Sequence, residues 1–288
     1  MQCPICYKKT NKVTDFYFFC ASCDHWVSKL KNDTEAIKYS SPYQSFLEEG
    51  NNEEEIYFLS NIRLETSKII INDLQGFGLG KLLDIGCASG LFLNVAIGKG
   101  FSAKGVEPNR KRASYALKKK IHVEIGFFPD ILNKAERFKY ITFNDVLEHI
   151  DDIEAMIKNC YRFLEPNGFL SINVPNSHGL FFKLSYILKK LGSNVLWDRL
   201  WQAMFYTPHI HYFSPKSLTN IVEKHNFIKV HGPKPLPVIS FDNLWGRISA
   251  VPNTPYFVKL TQYFSFILLY PIYKISTKDS FFIVFQKK

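Results

Sequence analysis

The sequence predicts a doubly wound α/β fold with a mostly parallel sheet, and three features carry that prediction. From Lys81 onward, apolar runs alternate with helical patterns at 81–86, 91–100, 102–107, 109–119, 121–125, near 130, 138–145, 151–164 and 168–174. Such alternation places a parallel sheet between two layers of helices. A glycine-rich turn closes the first of these strands: Leu82 to Gly90 reads Leu-Leu-Asp-Ile-Gly-Cys-Ala-Ser-Gly, and an apolar helical pattern begins at once with Leu91, Phe92, Val95 and Ala96. With 288 residues, 46% of them hydrophobic, the chain can bury the core of one such domain and still carry an appendage.

Taken in order, residues 1–30 form a zinc-ribbon-like module. Cys3-Pro-Ile-Cys6 and Cys20-Ala-Ser-Cys23 flank the apolar run Phe16 to Phe19. Two short knuckles of this kind can bring four thiolates into the tetrahedron that a structural zinc prefers, and four protein ligands leave no open position for chemistry. The metal would contribute much of the folding free energy of so small a piece. His25 lies close enough to replace one ligand, although its polarity places it on the surface. Cys-x-x-Cys pairs suit a reducing, cytoplasmic setting better than a disulfide framework, and no secretory leader is expected where Cys3 and Cys6 come so early. Residues 31–80 read as a linker and a lead-in helix. The acidic cluster Glu48 to Glu55 is a solvated helix start, and Ile56, Leu59, Ile62, Leu64, Ile69 and Ile70 follow at helical spacing.

The turn at 82–90 has the geometry of a nucleotide-type pocket: glycine lets a ligand approach the main chain, and the following helix offers free N–H groups. A dinucleotide site would show Gly-x-Gly-x-x-Gly. Here Asp84 stands two residues ahead of Gly-x-x-x-Gly. Glu107, in Lys104-Gly-Val-Glu-Pro-Asn109, ends the next strand 21 residues after Gly86, where an acidic side chain can accept both hydroxyls of a ribose. The basic helix Arg110 to Lys120 reads as a solvated face. The Asp-x-Gly-x-x-x-Gly form resembles motif I of class I S-adenosylmethionine-dependent methyltransferases. That resemblance implies that Gly86, Ala88 and Gly90 form the turn holding the methionine part of the cofactor, and that Asp84 acts on its ammonium end, directly or through water.

Further segments extend the resemblance over roughly residues 81–231, toward the small-molecule branch that includes ubiquinone-biosynthesis O-methyltransferases. They are Asn144-Asp-Val-Leu-Glu-His-Ile150 beside the cofactor cleft, the turn Leu164-Glu-Pro-Asn-Gly168, Val174-Pro-Asn176, and Pro208-His-Ile-His-Tyr-Phe-Ser-Pro-Lys-Ser-Leu218. It implies a seven-stranded, Rossmann-like methyltransferase sheet with Asn144 in the cofactor site. Two departures stand out: Ala88 replaces a usual glycine, and Phe127 stands where many relatives carry an acid for the adenine amino group. Phe127 can stack on adenine or fill core. Asn144-Asp-Val-Leu also differs from the Asn-Pro-Pro-(Tyr/Phe) of enzymes that methylate base nitrogens.

Two insertions interrupt the domain spanning 81–288. Residues 177–214 fall at the carboxyl ends of the strands, where ligands bind, and read as a helical cap. Residues 232–280 form a basic, aromatic insertion before a last strand at 281–286. Its apolar run from Tyr263 to Tyr273, ended by Pro271, is too short to span a bilayer and reads as a core or interfacial helix. Residues 177–288 hold 14 Lys and Arg against 4 acids, whereas 1–176 are balanced at 22 each. The formal charge of +10 therefore lies wholly in the C-terminal part, which favours an anionic partner: a charged small molecule or glycan, a membrane surface met peripherally through 232–280, or, less favoured, nucleic acid.

A four-cysteine module ahead of this methyltransferase type, with His-x-x-Tyr-Phe-Ser after the cap, resembles the sugar methyltransferases of deoxysugar and surface-polysaccharide pathways. The resemblance implies O-methylation of a sugar, nucleotide-sugar or lipid-linked glycan intermediate. In the C-methylating members a Tyr-x-Glu-His segment supplies the catalytic histidine. This chain keeps Tyr206 and His209 but has Pro208 for the glutamate, so the carry-over is partial; an imidazole near its ordinary pKa suits removal of a hydroxyl proton. His149, ending the Leu-Glu-His segment, is the alternative base. Two other readings remain open: an RNA methyltransferase, favoured by the basic C-terminal part, and a non-catalytic scaffold that keeps the fold.

Overall fold

The computed structural model describes residues 1–32, 53–203, 207–237, 244–245, 248 and 255–288, with the side chains of the first helix described from Arg63. Tyr206, the side chains of the acidic cluster Glu48 to Glu55, most of the 31–52 linker and most of 238–254 lie outside the described residues. Three short strands open the chain, β1 (Asn11–Lys12), β2 (Tyr17–Cys20) and β3 (His25–Ser28), followed by the lead-in helix α1 (Glu53–Gln75). The doubly wound unit then runs β4 (Lys81–Ile85), α2 (Leu91–Gly98), β5 (Ser102–Glu107), α3 (Arg110–Lys118), β6 (Val123–Ile125), β7 (Phe138–Asn144), a 3-10 turn at Leu147–His149, α4 (Ile153–Phe163) and β8 (Leu164–Pro175). The cap supplies α5 (Leu180–Lys190), α6 (Val195–Leu200) and β9 (His211–Tyr212), and the chain closes with α7 (Pro215–Glu223), β10 (Phe227–Leu236), α8 (Tyr256–Ile275) and β11 (Ser280–Lys287).

The main sheet has seven strands in the order β10-β11-β8-β7-β4-β5-β6. β6, β5, β4, β7 and β8 are parallel, and β11 inserts antiparallel between β8 and β10. Alternate residues of the central strands feed two cores. Leu83, Ile85, Ile141, Phe143, Leu170, Ile172 and Ile283 bury one face, while Leu82, Tyr140, Phe169, Phe282 and Val284 bury the other against α1 and α2. Near-continuous apolar strands are what a sheet covered on both sides requires. The helices start where the sequence supplies caps. Asn109 Oδ1 accepts Arg112 N–H at 3.0 Å, Asp152 Oδ1 accepts Ala155 N–H at 2.9 Å, and Ser214 and Ser217 form a capping box ahead of α7 with Pro215 in its first turn.

Several boundaries differ from expectation for physical reasons. The Leu164–Gly168 turn is a bulge within β8: Phe138 pairs with Leu164 and Tyr140 with Phe169, and Asn167 takes φ 59°. β10 continues past residue 231 to Leu236 through register shifts around Gly232-Pro233, so the second insertion begins later than position 232. No regular element forms near 130. Pro271 does not end its helix, which runs to Ile275; its missing N–H falls in the last turns, where the outer face is exposed.

The N-terminal strands do not stand apart. β3 pairs antiparallel with β9, so one four-stranded sheet, β1-β2-β3-β9, joins the module to the cap. Cys3, Ile5, Cys20 and Cys23 belong to the main core, and Tyr17 and Trp26 pack with Phe182, Trp197, Trp201 and Tyr212 of the cap and β9. Lys224, which caps the C-terminal end of α7, donates to the Ile5 carbonyl, and Tyr7 OH donates to Glu154 of α4. His25 is accordingly not a surface residue. It is fully buried, its Nε2 lies 3.2 Å from His211 Nδ1, and its ring packs on Phe213.

Candidate active site

A cavity of about 480 Å³ opens at the carboxyl ends of β4, β5 and β7. Its first wall is the glycine-rich turn. Gly86 and Gly90 adopt φ of 71° and 76°, and Ala88 adopts 47°, a left-handed conformation that a methyl side chain tolerates at a cost. A Cβ on Gly86 would lie 2.6 Å from Val146, so only glycine lets the turn and the 144–146 segment close on one ligand. Gly90 does not line the cavity; a Cβ there would lie 2.8 Å from Ala116, so its part is to let α3 pack against the start of α2.

Glu107 lies at the floor of this wall, buried but lining the cavity. Its Oε2 accepts Ala88 N–H at 2.9 Å and its Oε1 accepts Asn109 N–H at 2.8 Å, which locks the carboxylate to both turns and leaves further lone pairs on each oxygen. Burial raises its pKa against those two bonds. Asp84, expected to act on the ammonium end directly or through water, is buried and does not line the cavity. Its Oδ1 accepts Thr142 Oγ1–H at 2.7 Å and Asn144 Nδ2–H at 2.9 Å, and Asn144 is the residue that lines the site. Burial pushes its carboxyl up to about 7, with the Thr142 and Asn144 bonds opposing and Glu107 adding to the rise. Phe127 lines the cavity, 37% exposed, beside Gly126 and Phe128, and so does not fill core.

The opposite wall brings together residues distant in sequence: Asp145, Glu148, His149 and His209, with Asn32 and Arg63 arriving from the linker and lead-in helix. The imidazoles of His149 and His209 have centroids 4.8 Å apart. His149 Nδ1 lies 3.0 Å from the Pro208 carbonyl, which can only accept, so Nδ1 carries the proton and Nε2 keeps its lone pair. Burial drives the His149 pKa down to about 4 and that of His209 well below the ordinary range, the latter with help from His149. The sequence leads one to expect an unperturbed His209; full burial overturns that, and both rings are neutral at physiological pH. Glu148 is buried with neither carboxylate oxygen bonded, and burial together with Asp145 holds its pKa well above normal. One ligand atom each of Glu148, His149 and His209 lie within 4.8 Å of one another, a donor set that could also hold a divalent ion.

The N-terminal module and Asn32 of the linker brace this wall. Ser28 N–H donates to the Ile210 carbonyl at 2.8 Å, Ser28 Oγ to the His209 carbonyl at 3.0 Å, and Asn32 Nδ2 to the His149 carbonyl at 2.6 Å. Sequence reasoning passes over Arg112, Arg63, Asn32 and Glu148. Arg112 belongs to the helix read as a solvated face, yet it is the third residue of the helix that follows Glu107, and a helix start at a strand end faces the ligand. Asn32 and Arg63 carry no local signal, because only the tertiary fold brings them in.

Away from the cavity, the four Sγ atoms of Cys3, Cys6, Cys20 and Cys23 lie within 4.8 Å of one another. The Cys6 and Cys20 sulfurs are 3.6 Å apart, close to the ~3.8 Å edge of a tetrahedron with zinc–sulfur bonds of about 2.3 Å. Ile5 N–H points at Cys3 Sγ at 3.4 Å, as suits a thiolate. This donor set fits zinc.

A parallel sheet with one antiparallel strand beside its edge, a Gly-x-x-x-Gly turn and an acid ending the second strand define a class I S-adenosylmethionine-dependent methyltransferase fold. The model of the methyltransferase-domain family matches residues 45–231, well over half of the chain, and the chain belongs to that family. Among curated proteins it is similar to the mitochondrial ubiquinone biosynthesis O-methyltransferase of Rattus norvegicus, 28% identical over 155 residues covering 50% of this chain and 43% of the relative. It is also similar to the ubiquinone biosynthesis O-methyltransferase of Rhodopseudomonas palustris, 25% identical over 147 residues, 46% and 57% of the two chains. The matched part is thus about half the length of these relatives. Among solved structures, a methyltransferase of Thermotoga maritima described as a possible histamine N-methyltransferase shares the fold with TM-score 0.52 at 19% identity, over 84% of this chain and 98% of that one. A phosphoethanolamine N-methyltransferase 2 of Haemonchus contortus, bound to S-adenosylhomocysteine, does so with TM-score 0.54 at 15% identity, over 84% and 59%. None of the described helices is long and apolar enough to cross a membrane.

Proposed function

We propose that the chain transfers a methyl group from S-adenosylmethionine to a hydroxyl oxygen of a sugar, nucleotide-sugar or lipid-linked glycan intermediate. The observation that carries this reading is the pair of neutral imidazoles facing the same cavity as Glu107 and the glycine turn. The residues present fit the cofactor: Glu107 has lone pairs left for the ribose hydroxyls, Asn144 fixed by Asp84 would meet the ammonium end, and Phe127 offers a ring to the adenine. When bound, the cofactor supplies a methyl group already made electrophilic by its sulfonium.

What the chain adds is alignment, a dry site and a proton acceptor. His149 is the base in this reading. Its Nδ1–H is tied to Pro208 O, so Nε2 is left as the acceptor on a residue that lines the cavity, and its neutral form dominates above about pH 4. A weak base suffices, because an oxygen that has begun to bond carbon becomes strongly acidic. His209 packs against His149 and shields it. The polar wall of Asn32, Arg63, Arg112, Asp145, Gln202 and Thr207 suits a hydroxylated, negatively charged acceptor better than an apolar one. We further infer that Cys3, Cys6, Cys20 and Cys23 hold one structural zinc.

Incubation with isotope-labelled S-adenosylmethionine and a panel of nucleotide sugars, glycolipid precursors and bulk RNA tests the acceptor class. Label on a sugar oxygen is expected. Label on RNA alone would replace the reading. His149→Ala should lower turnover by about a hundredfold or more, the range for a lost general base, with cofactor affinity nearly unchanged. The same result from His209→Ala alone would move the base to His209. Metal analysis of the purified chain should find one zinc.

A further inference from the structure

Among the described residues, none of the segment that follows β10 lines the cavity, α8 included. Helix α8 has two faces. The inner face packs on the cap: Phe266 and Tyr273 lie 6.1 and 5.7 Å, centroid to centroid, from Phe181 at the start of α5. On the outer face, Phe257, Thr261, Phe264, Leu268, Ile272 and Ile275 recur every three or four residues, a single stripe along the helix. Phe257 is 74% exposed, Phe264 62%, Leu268 79% and Ile275 88%. A second exposed apolar group lies on the cap at Ile187, Leu191 and Val195. Monomeric soluble proteins rarely present so many large apolar side chains in one run to water.

Charge narrows what can cover this surface. Helices α5 and α8 contain Lys183, Lys189, Lys190, Lys259 and Lys274 and no acidic residue. Lys278 follows directly, its ammonium bonded to the Tyr273 and Lys274 carbonyls. A second copy laid on the stripe would bring the lysines of these two helices against one another, a repulsion that opposes pairing. Tyr256, Tyr263, Tyr270 and Trp245 add amphipathic rings of the kind that settle at a lipid headgroup boundary. An interfacial helix needs an apolar stripe, flanking cations and low overall length demand, and α8 meets each condition without being able to span the bilayer.

We propose that the exposed stripe of α8, together with the apolar end of α5, docks the protein on an anionic membrane surface. The inference concerns a surface outside the cavity and stands whichever acceptor the cavity takes. The two helices enter from separate insertions, at 177–214 and 232–280, and meet only in the folded chain. The segment that leaves α8 is fastened to the start of α5: Leu180 N–H donates to the Thr277 carbonyl at 3.2 Å, and Phe181 N–H to Asp279 Oδ1 at 2.8 Å.

The test is flotation of the full chain with vesicles of phosphatidylcholine, with and without phosphatidylglycerol, at low and high salt. Binding to the mixed vesicles that weakens with salt is expected, with little binding to phosphatidylcholine alone. The double change Leu268→Glu with Ile272→Glu should lower partitioning by about tenfold or more, and Lys189→Glu with Lys190→Glu by about fivefold per lysine. S-adenosylmethionine affinity, measured in parallel, should be unchanged in both variants and reports that they fold. Wild-type protein that fails to float with mixed vesicles, or a Leu268→Glu, Ile272→Glu variant that floats like wild type, overturns the proposal. So does a wild-type dimer in lipid-free solution that this variant breaks, since the stripe would then be a contact between copies.

Discussion

Asp84 bears on the cavity through Asn144 and does not line it. Its carboxyl is buried, held by Thr142 and Asn144, and raised to about 7, so near neutrality it is divided between two charge states. Only the ionised form favours a cation in the adjoining cavity. Cofactor affinity should therefore rise with pH, by up to about tenfold per unit below the pKa and levelling above it. Calorimetric titration with S-adenosylmethionine at pH 6 and pH 8 measures this, and Asp84→Asn should flatten the dependence. The same substitution should stabilise the free protein at alkaline pH. The sign follows from the raised folded pKa: above the unfolded value of about 3.9 the unfolded chain sheds a proton that the folded chain retains, so the group costs stability as pH rises toward 7. The amide introduced by Asp84→Asn would keep both hydrogen bonds on its carbonyl oxygen and lose that cost, a gain of order 1–3 kcal/mol. A denaturant midpoint that does not rise for Asp84→Asn at pH 8 would contradict the assigned burial. At Ala88, whose φ is 47°, substitution by glycine relieves strain of order 1 kcal/mol, and the thermal midpoint should rise slightly.

At the scale of elements, β3 and β9 carry the link between the cysteine module and the candidate base. Ser28→Ala removes the bond from Oγ to the His209 carbonyl and leaves the β3–β9 pairing, while Asn32→Ala frees the His149 carbonyl. Turnover should fall by about tenfold in each case, consistent with loss of positioning by a few tenths of an ångström, with cofactor affinity within about twofold. Equal losses in turnover and cofactor affinity would show a general disturbance instead. The strand-to-helix alternation of 81–176, the turn at 82–90 and Glu107 were legible because local pattern dictates them. A parallel strand is apolar wherever it is covered on both faces, and a left-handed φ favours glycine at Gly86 and Gly90. The four cysteines were legible from spacing. The β3–β9 pairing was not, because both strands are too short for a periodicity and their partners lie 186 residues apart, as His25 and His211 show. Separation in sequence likewise hid Asn32, 117 residues from His149, and Arg63, and it turned His25 from an expected surface residue into a buried one.

The whole molecule binds its appendage into one core. Cys3, Ile5, Cys20 and Cys23 share a cluster with Leu83, Phe143, Ile172 and Phe213, and Tyr17 and Trp26 share another with Trp197 and Trp201. A module that contributes to the main core cannot unfold alone without exposing part of that core, so a zinc held by the cysteine cluster would act on the stability of the whole chain. Thermal unfolding of the metal-loaded protein should show one cooperative transition, and chelation should move that transition downward as a unit. Cys20→Ser should do the same, lowering turnover through the β3–β9 link. If chelation instead produces a separate low-temperature transition while the main one stays in place, the module is an independent unit and the shared core does not couple them. Acid adds a second handle on the same coupling. His25 and His211, stacked at the seam between the module and β9, are both buried; burial, with His211 adding to it at His25, holds His25 well below the ordinary range, and burial brings His211 to about 4. Their folded pKa values lie below the unfolded value of about 6.5, so the unfolded chain takes up protons that the folded chain refuses as pH falls from there. Each ring costs about 1.4 kcal/mol per pH unit over that window. His211→Gln removes one such group, so its stability relative to wild type should improve steadily from pH 6.5 down to pH 4, whatever its offset at pH 8. A difference that stays constant across that range would mean that the seam is open to water.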